Sequence, residues 1–137
     1  MQLISYFCYG AIALISLIFG LIYLIRGQFM PYHRVALGKS WQEIEADTQT
    51  LILALMRATG GGLISTAIAI LVLLYIPVRA GEIWASYSIF FVSLGSSCGS
   101  CYATFLVKQK TPGNPPLGLS IATFFLSFIG LINFLLL

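Results

Sequence analysis

Residues 58–78 read ATGGGLISTAIAILVLLYIPV and contain no charged side chain. Three further stretches, residues 1–25, 83–107 and 111–137, share this property. Each is long enough to cross a bilayer, because a helix needs about 20 apolar residues to span the hydrocarbon core. With 59% hydrophobic and only 8% charged residues in 137 positions, little of the chain remains outside the membrane.

We therefore predict an all-α polytopic membrane protein whose single domain, residues 1–137, is one bundle of four transmembrane helices. The backbone of a spanning segment must satisfy its own polar groups, which favours helices. Continuously apolar runs argue against the alternating strands of a β-barrel. Helices buried in a soluble protein are the alternative, but four of them would leave too little polar surface to cover them. The predicted helices cover about residues 3–25, 41–76, 83–108 and 115–137.

The second helix is predicted to begin before its membrane span. Ser40 and Glu43 stand in the S-x-x-E pattern of a capping box, in which each residue satisfies a backbone amide of the other. No Pro or Gly lies between Ser40 and Gly60. We therefore expect one continuous helix from about Trp41 to Ile76, roughly 54 Å long at 1.5 Å per residue.

Basic residues indicate the orientation. The second loop carries only Arg79, whereas the first and third loops carry Arg26, Arg34, Lys39, Lys108 and Lys110. Cytoplasmic loops are enriched in Lys and Arg. This distribution predicts that loops 26–50 and 108–116 are cytoplasmic and that both termini lie outside.

Small residues on the second and third helices predict close packing. Gly95 and Gly99 form a G-x-x-x-G motif, and such residues let two helix backbones approach closely. We predict that the two helices cross tightly at a set of packing residues. This set comprises Gly60, Gly61, Gly62, Gly95, Ser96, Gly99 and Ser100. The same polar stripe could instead line a narrow water-filled path.

Arg57 is the main candidate for ligand contact. A charged residue inside a span is costly and marks a functional site by default. With Gly61, Ser65 and Ser97, Arg57 forms the predicted ligand-binding set, suited to a lipid phosphate or a carboxylate. In the alternative interpretation, Arg57 lies near the interface and extends its head group into water.

Cys98 and Cys101 form a C-x-x-C motif, which in a redox protein exchanges a dithiol with a disulfide. The reaction needs a thiolate, which a nearby cation or a helix N-terminus stabilises. Here no Lys, Arg or His is close in sequence, and only Cys8 remains for a second pair. We therefore expect both thiols to be reduced, with catalysis at these two cysteines kept as an alternative.

Other chemistries find little support. His33 has no partner at metal-ligand spacing, and no zinc, phosphate-loop or nucleophile–base pattern occurs. The sequence has no stripe of basic residues on a water-facing surface, which nucleic-acid binding would require. We expect no metal, no cofactor and no nucleic-acid partner, and we favour a protein that is not an enzyme.

The motif RATGGG at residues 57–62, followed by small residues and an aliphatic run to Pro77, resembles the DoxX-like group of small four-helix bacterial membrane proteins. The motif MPYH at residues 30–33, with Gly38 and Trp41, is similar to an uncharacterised bacterial family of this size. These resemblances imply a multi-pass bundle in the bacterial inner membrane, sometimes an accessory to a redox system.

Three functions follow as predictions. The first is an accessory or oligomer-forming subunit that contacts membrane lipids and either further copies of itself or a membrane-complex partner. The second is a carrier or channel for a small solute or a lipid headgroup, which uses Arg57 and the Ser-rich face of the third helix. The third is a membrane thiol oxidoreductase at Cys98 and Cys101.

Overall fold

The computed structural model describes residues 2–136, and of Gln2 only the backbone. It confirms the predicted all-α bundle with four helices long and apolar enough to cross a membrane. A short helix, α2, precedes the second of these long helices. The helices are α1 (Gln2–Ile25), α2 (Pro31–Leu37), α3 (Ala46–Leu73), α4 (Ile83–Lys110) and α5 (Leu117–Leu135).

The second span begins later than predicted. Ser40 and Glu43 do form the capping box, and the Ser40 amide donates to the Glu43 carboxylate at 2.5 Å. The box caps only a 3-10 turn, Trp41–Glu43. Ile44 is extended, with φ −88° and ψ 134°, and α3 begins at Ala46. The prediction of one continuous helix from Trp41 is therefore wrong.

Side-chain hydrogen bonds and packing explain this break. The Gln49 side-chain amide donates to the carbonyl oxygens of Trp41 at 2.7 Å and Ile44 at 3.1 Å, so these groups are satisfied without a continuous helix. The extended residue lets the first loop fold onto the end of the bundle, where Trp41 and Ile44 pack against a small buried cluster. That cluster comprises Phe29, Met30 and Met56.

Pro77 does not end the second span where the sequence predicted. The span continues past Leu73 through a π-helical turn, Leu74–Val78, that contains Pro77. Proline cannot donate a backbone hydrogen bond, and a local widening of the helix accommodates it. Gly81, with φ 85°, then reverses the chain into α4.

The four long helices are arranged in a ring. The helix α1 packs against α3 and α5, and α4 packs against α5 and α3. We call the end where residues 79–82 join α3 to α4 the second-loop end, and the opposite end the first-loop end. The core that α3 shares with α4 lies at the second-loop end, where Ile70 and Val78 are buried with Ala85 and Ile89.

Tyr9 closes the second-loop end. Its side chain is fully buried, and its hydroxyl group lies 2.5 Å from the Ser86 Oγ atom of α4. Its ring rests on Gly130 of α5, where a Cβ atom would come within 2.5 Å of the ring. One aromatic side chain of α1 thus joins α4 and α5.

A close helix crossing joins α1 to α3. A Cβ atom on Gly60 would lie 2.8 Å from the Gly20 carbonyl oxygen and 2.9 Å from the Leu24 amide nitrogen. The predicted tight crossing of the second and third helices is wrong within one chain. A Cβ atom would meet nothing within 4 Å at any of the other four glycines of the predicted packing set, Gly61, Gly62, Gly95 and Gly99.

Helix geometry explains why one glycine of the triplet differs from its neighbours. Consecutive residues point about 100° apart around a helix of 3.6 residues per turn, so a glycine triplet cannot face one partner. Only Gly60 faces α1, while Gly62 is exposed. Contacts of the remaining glycines with a second copy or a partner stay a prediction.

Candidate ligand-binding site

A cavity of about 640 Å³ occupies the half of the bundle nearest the first-loop end. Residues from all four long helices line it, and it extends from Ile12 and Ser93 at mid-bundle to Tyr23, His33 and Pro115. Its volume lies within the roughly 300–1,000 Å³ that is typical of small-molecule sites. The bundle is therefore packed at one end and hollow toward the other.

The cavity wall is apolar with many hydroxyl groups and no fixed charge. Ile15, Phe19 and Leu63 contribute apolar surface. Ten Ser and Thr side chains contribute hydroxyl groups: Ser16, Thr59, Thr66, Ser93, Ser96, Ser97, Ser100, Thr104, Ser120 and Thr123. The absence of Lys, Arg, Asp and Glu from this lining favours an uncharged ligand, because an unpaired charge is costly in such surroundings.

Some of these hydroxyl groups are already engaged, and one buried group is not. Ser93 donates to the Ile89 carbonyl oxygen at 2.7 Å, and Ser97 donates to the Thr123 hydroxyl group at 3.1 Å. The Ser16 side chain is only 6% exposed, and its hydroxyl group forms no hydrogen bond within the described residues. Its hydroxyl group is free to bind a polar atom inside the cavity.

Aromatic side chains of α1 and α2 cover the cavity at the first-loop end. The Tyr23 and Tyr32 hydroxyl groups are hydrogen-bonded to each other. The rings of Tyr32 and His33 meet edge-on, with centroids 4.4 Å apart. The Met30 amide donates to His33 Nδ1 at 3.3 Å, so the neutral imidazole carries its proton on Nε2.

Burial shifts the pKa values of two side chains in this cover. It lowers the pKa of His33 below the usual 6.5 and raises the pKa of Tyr32. Both side chains are therefore neutral at neutral pH. The site at this end consists of a phenol pair and an uncharged imidazole, which suits hydrogen bonding rather than ion pairing.

The cavity opens sideways, between α3 and α4. Exposed lining residues lie on both helices: Thr59 and Gly62 on α3, and Gly95, Gly99 and Ala103 on α4. The glycines place no side chain across this gap. If these helices span a bilayer, the opening faces lipid, so a ligand can enter from the membrane.

The predicted ligand-binding set is not assembled. Of its four members only Ser97 lines the cavity. Arg57 is exposed on α3 and makes no salt bridge or side-chain hydrogen bond in the part of the chain that the structure describes. Ser65 is exposed and Gly61 half-buried, and neither lines the cavity.

Most of the predicted packing set lines the cavity instead. Gly62, Gly95, Ser96, Gly99 and Ser100 all face it. The predicted polar stripe on the third helix thus borders an open space, and the predicted close contact is absent there. The alternative of a water-filled path stays a prediction.

The sequence did not indicate the α1 and α2 side of the site. Ser16, Tyr23 and His33 were not expected to contribute. A signal was present, since Ile12, Ser16, Phe19 and Tyr23 recur at the spacing of one helix face. On an entirely apolar helix this face cannot be recognised without knowing what lies opposite.

The cysteines are separate from the cavity. Cys98 is exposed, Cys101 is half-buried and Cys8 is buried, and all three are free thiols. None of them lines the cavity. No group of three His, Cys, Asp or Glu side chains that could hold a metal ion occurs among residues 2–136.

Comparison with protein-family models, curated proteins and solved structures gave no match. The class of the protein therefore rests on its own fold. Its four long apolar helices make it an integral, multi-pass membrane protein.

Proposed function

We propose that the protein binds an uncharged amphipathic molecule, taken from the membrane, in the cavity between its four long helices. The observation that carries this proposal is a charge-free, hydroxyl-lined space of about 640 Å³ that opens between two spanning helices. Of the three predicted functions, this observation supports the carrier or channel. The binding site, however, is the cavity and does not include Arg57.

The wall chemistry selects the ligand class. Apolar residues such as Ile15, Phe19 and Leu63 suit a hydrocarbon portion. The unengaged Ser16 hydroxyl group and the neutral His33 suit a hydroxyl or carbonyl oxygen. A monoacylglycerol, a long-chain alcohol or a quinone-like molecule has this combination, whereas a charged solute would find no counter-charge.

A second candidate function is the predicted accessory or oligomer-forming subunit. The observation that favours it is the exposed Gly95 and Gly99 pair, one turn apart on α4, with no atom within 4 Å of a Cβ position. Such a pair lets another helix approach closely in a membrane. In this case a helix of a second copy or of a partner, rather than a small molecule, would cover the opening.

Photocrosslinking tests the two candidates. The purified protein in a neutral sugar detergent is exposed to a diazirine-bearing monoacylglycerol, and the labelled residues are mapped by mass spectrometry. We expect labels on cavity residues of α1 and α4, with competition by unmodified monoacylglycerol. Labels confined to the outer, lipid-facing surface would contradict the cavity proposal.

Two variants sharpen this test. Gly99→Leu places a large side chain at the mouth of the cavity, and we expect it to reduce labelling about tenfold. Gly118→Leu is the matched control, because Gly118 also has nothing within 4 Å but does not line the cavity. If Gly99→Leu leaves labelling unchanged and dissociates an oligomer seen by native mass spectrometry, the second candidate is favoured.

A further inference from the structure

A second pocket, of about 280 Å³, lies beside α2 at the first-loop end. The helix α2 separates it from the large cavity, since Tyr32 and His33 line the cavity whereas Pro31 and Arg34 line this pocket. Its polar and aromatic lining includes Arg26, Gln28, Arg34, Ser40, Trp41 and Gln42.

The pocket holds two cations and no anion. Arg26 and Arg34 both line it, and no Asp or Glu does. The Arg26 Nε atom is shielded from solvent and has no hydrogen-bond partner among the described residues. Leaving a partly desolvated guanidinium group unpaired costs free energy, which a bound anion would offset.

One carboxylate lies nearby but is already engaged. Glu43 accepts the Ser40 amide hydrogen, and this bond, together with the positive charges of Lys39 and Arg34, lowers the pKa of Glu43. Glu43 is not part of the pocket lining. The pocket lining itself, with Arg26 and Arg34 and no carboxylate, is positively charged.

The position of the pocket indicates which anion it meets. Arg26 directly follows Ile25, the last residue of α1 and of the first candidate span. Trp41 lines the same pocket, and tryptophan is enriched at the level of lipid headgroups. A phosphate group is the anion that is abundant at this depth.

We propose that Arg26 and Arg34 bind a phosphate group at this pocket, either the phosphate of a membrane lipid or free phosphate. Guanidinium groups pair with phosphate oxygens through two parallel hydrogen bonds, and such charge-assisted bonds are stronger than neutral ones. Gln28 and Gln42 line the same space, and their side-chain amides are neutral hydrogen-bond donors. This site is independent of the ligand proposed for the large cavity.

Trp41 provides the readout. In a Trp84→Phe background it is the only tryptophan, because the chain has two. The protein in phosphate-free sugar detergent is titrated with dihexanoyl phosphatidic acid, with dihexanoylglycerol, which lacks the phosphate, and with inorganic phosphate. We expect a saturable change in Trp41 emission with phosphatidic acid at concentrations at which dihexanoylglycerol has no effect.

Variants test the assignment to the two arginines. Arg34→Gln and Arg26→Gln should each weaken binding about tenfold, which corresponds to about 1.4 kcal/mol. Arg26→Lys, which keeps the charge but loses the planar fork, should weaken it less than Arg26→Gln. Arg79→Gln is the matched control, because Arg79 lies at the opposite end of the bundle, 5.5 Å from the Tyr75 ring centroid.

The outcomes separate the possible sources. Saturation by phosphatidic acid alone identifies a lipid headgroup site, and equal saturation by inorganic phosphate identifies a site for the free anion. The proposal is overturned if neither probe exceeds dihexanoylglycerol, or if Arg79→Gln weakens binding as much as Arg34→Gln. Should Arg26→Gln fail to fold, Arg34→Gln decides the question, since Arg34 is exposed.

Discussion

The two ends of the bundle use the same small residues in opposite ways. At the second-loop end Gly130 receives the Tyr9 ring, and Ser86 bonds the Tyr9 hydroxyl group. Toward the first-loop end Gly95 and Gly99 face an open cavity. A small residue permits close approach, but whether anything approaches depends on the side chain or backbone opposite.

The crossing of α1 and α3 shows the same contrast within three residues. Gly60 meets the backbone of α1 at Gly20, whereas Gly61 and Gly62 meet nothing within 4 Å. A glycine motif read from one helix thus indicates where contact is permitted. The partner helix decides where contact occurs, and the following predictions test this distinction.

The largest effect is expected from labelling the two ends from one side of the membrane. Lys39→Cys and Asn114→Cys lie in exposed positions of the first and third loops, and Glu82→Cys lies in the second loop. A membrane-impermeant maleimide should label the first two together and Glu82→Cys only from the other side. The cysteine is placed at residue 114 and not at the neighbouring Gly113, because a Cβ atom at Gly113 would lie 2.8 Å from the Tyr32 carbonyl oxygen. Labelling of residues 39 and 114 from opposite sides would contradict the four-span arrangement.

The next effect concerns the α1–α3 crossing. Gly60→Ala should lower the free energy of unfolding by about 1–3 kcal/mol, because the new methyl group overlaps backbone atoms of α1. Gly61→Ala is the matched control and should be neutral or stabilising by up to about 1 kcal/mol, because alanine is the better helix former. Unfolding in detergent, followed by circular dichroism, measures both. Equal stability of the two variants would place the close contact elsewhere.

A smaller effect is expected at the closed end. Tyr9→Phe removes the hydrogen bond to Ser86 and leaves a buried hydroxyl group without a partner, which should cost about 1 kcal/mol. Tyr6→Phe is the control, since Tyr6 makes no side-chain hydrogen bond within residues 2–136 and is half-buried. The same unfolding assay applies, and indistinguishable values for the two variants would remove Tyr9 as the connection between α1 and α4.

The smallest effect is a pH dependence at the cover of the cavity. Burial lowers the pKa of His33 in the folded protein below the usual 6.5. Above pH 6.5 the imidazole is neutral in both the folded and the unfolded protein. Below pH 6.5 the unfolded protein binds the proton before the folded protein does. The free energy of unfolding should therefore fall slightly as the pH decreases through 6.5. His33→Gln should lack this decrease.

This pH dependence is measured only above pH 4.5, which is the usual pKa of Glu43. The pKa of Glu43 is lowered in the folded protein, so its protonation causes a second loss of stability at lower pH. A parent protein and a His33→Gln variant with the same pH profile above that value would show that His33 is not buried as described.

Local features were predicted well because they depend on few neighbours. The four spans follow from the length of each apolar run, and the Ser40–Glu43 capping box follows from a three-residue spacing. The break at Ile44 was not predictable in this way. It has no Gly or Pro, and it depends on Gln49 bonding to the carbonyl oxygens of Trp41 and Ile44.

The sequence by itself determined that the protein is helical and spans a membrane four times. The preference of each segment for lipid depends on its own length and apolar composition, and it does not depend on how the helices are arranged relative to one another. Only the tertiary structure decided that Gly60 packs against Gly20 while Gly99 borders a cavity. In a uniformly apolar helix every face is equally suited to lipid. Which face turns inward therefore depends on the shape and hydrogen bonds of the neighbouring helices, and these exist only once the bundle has assembled.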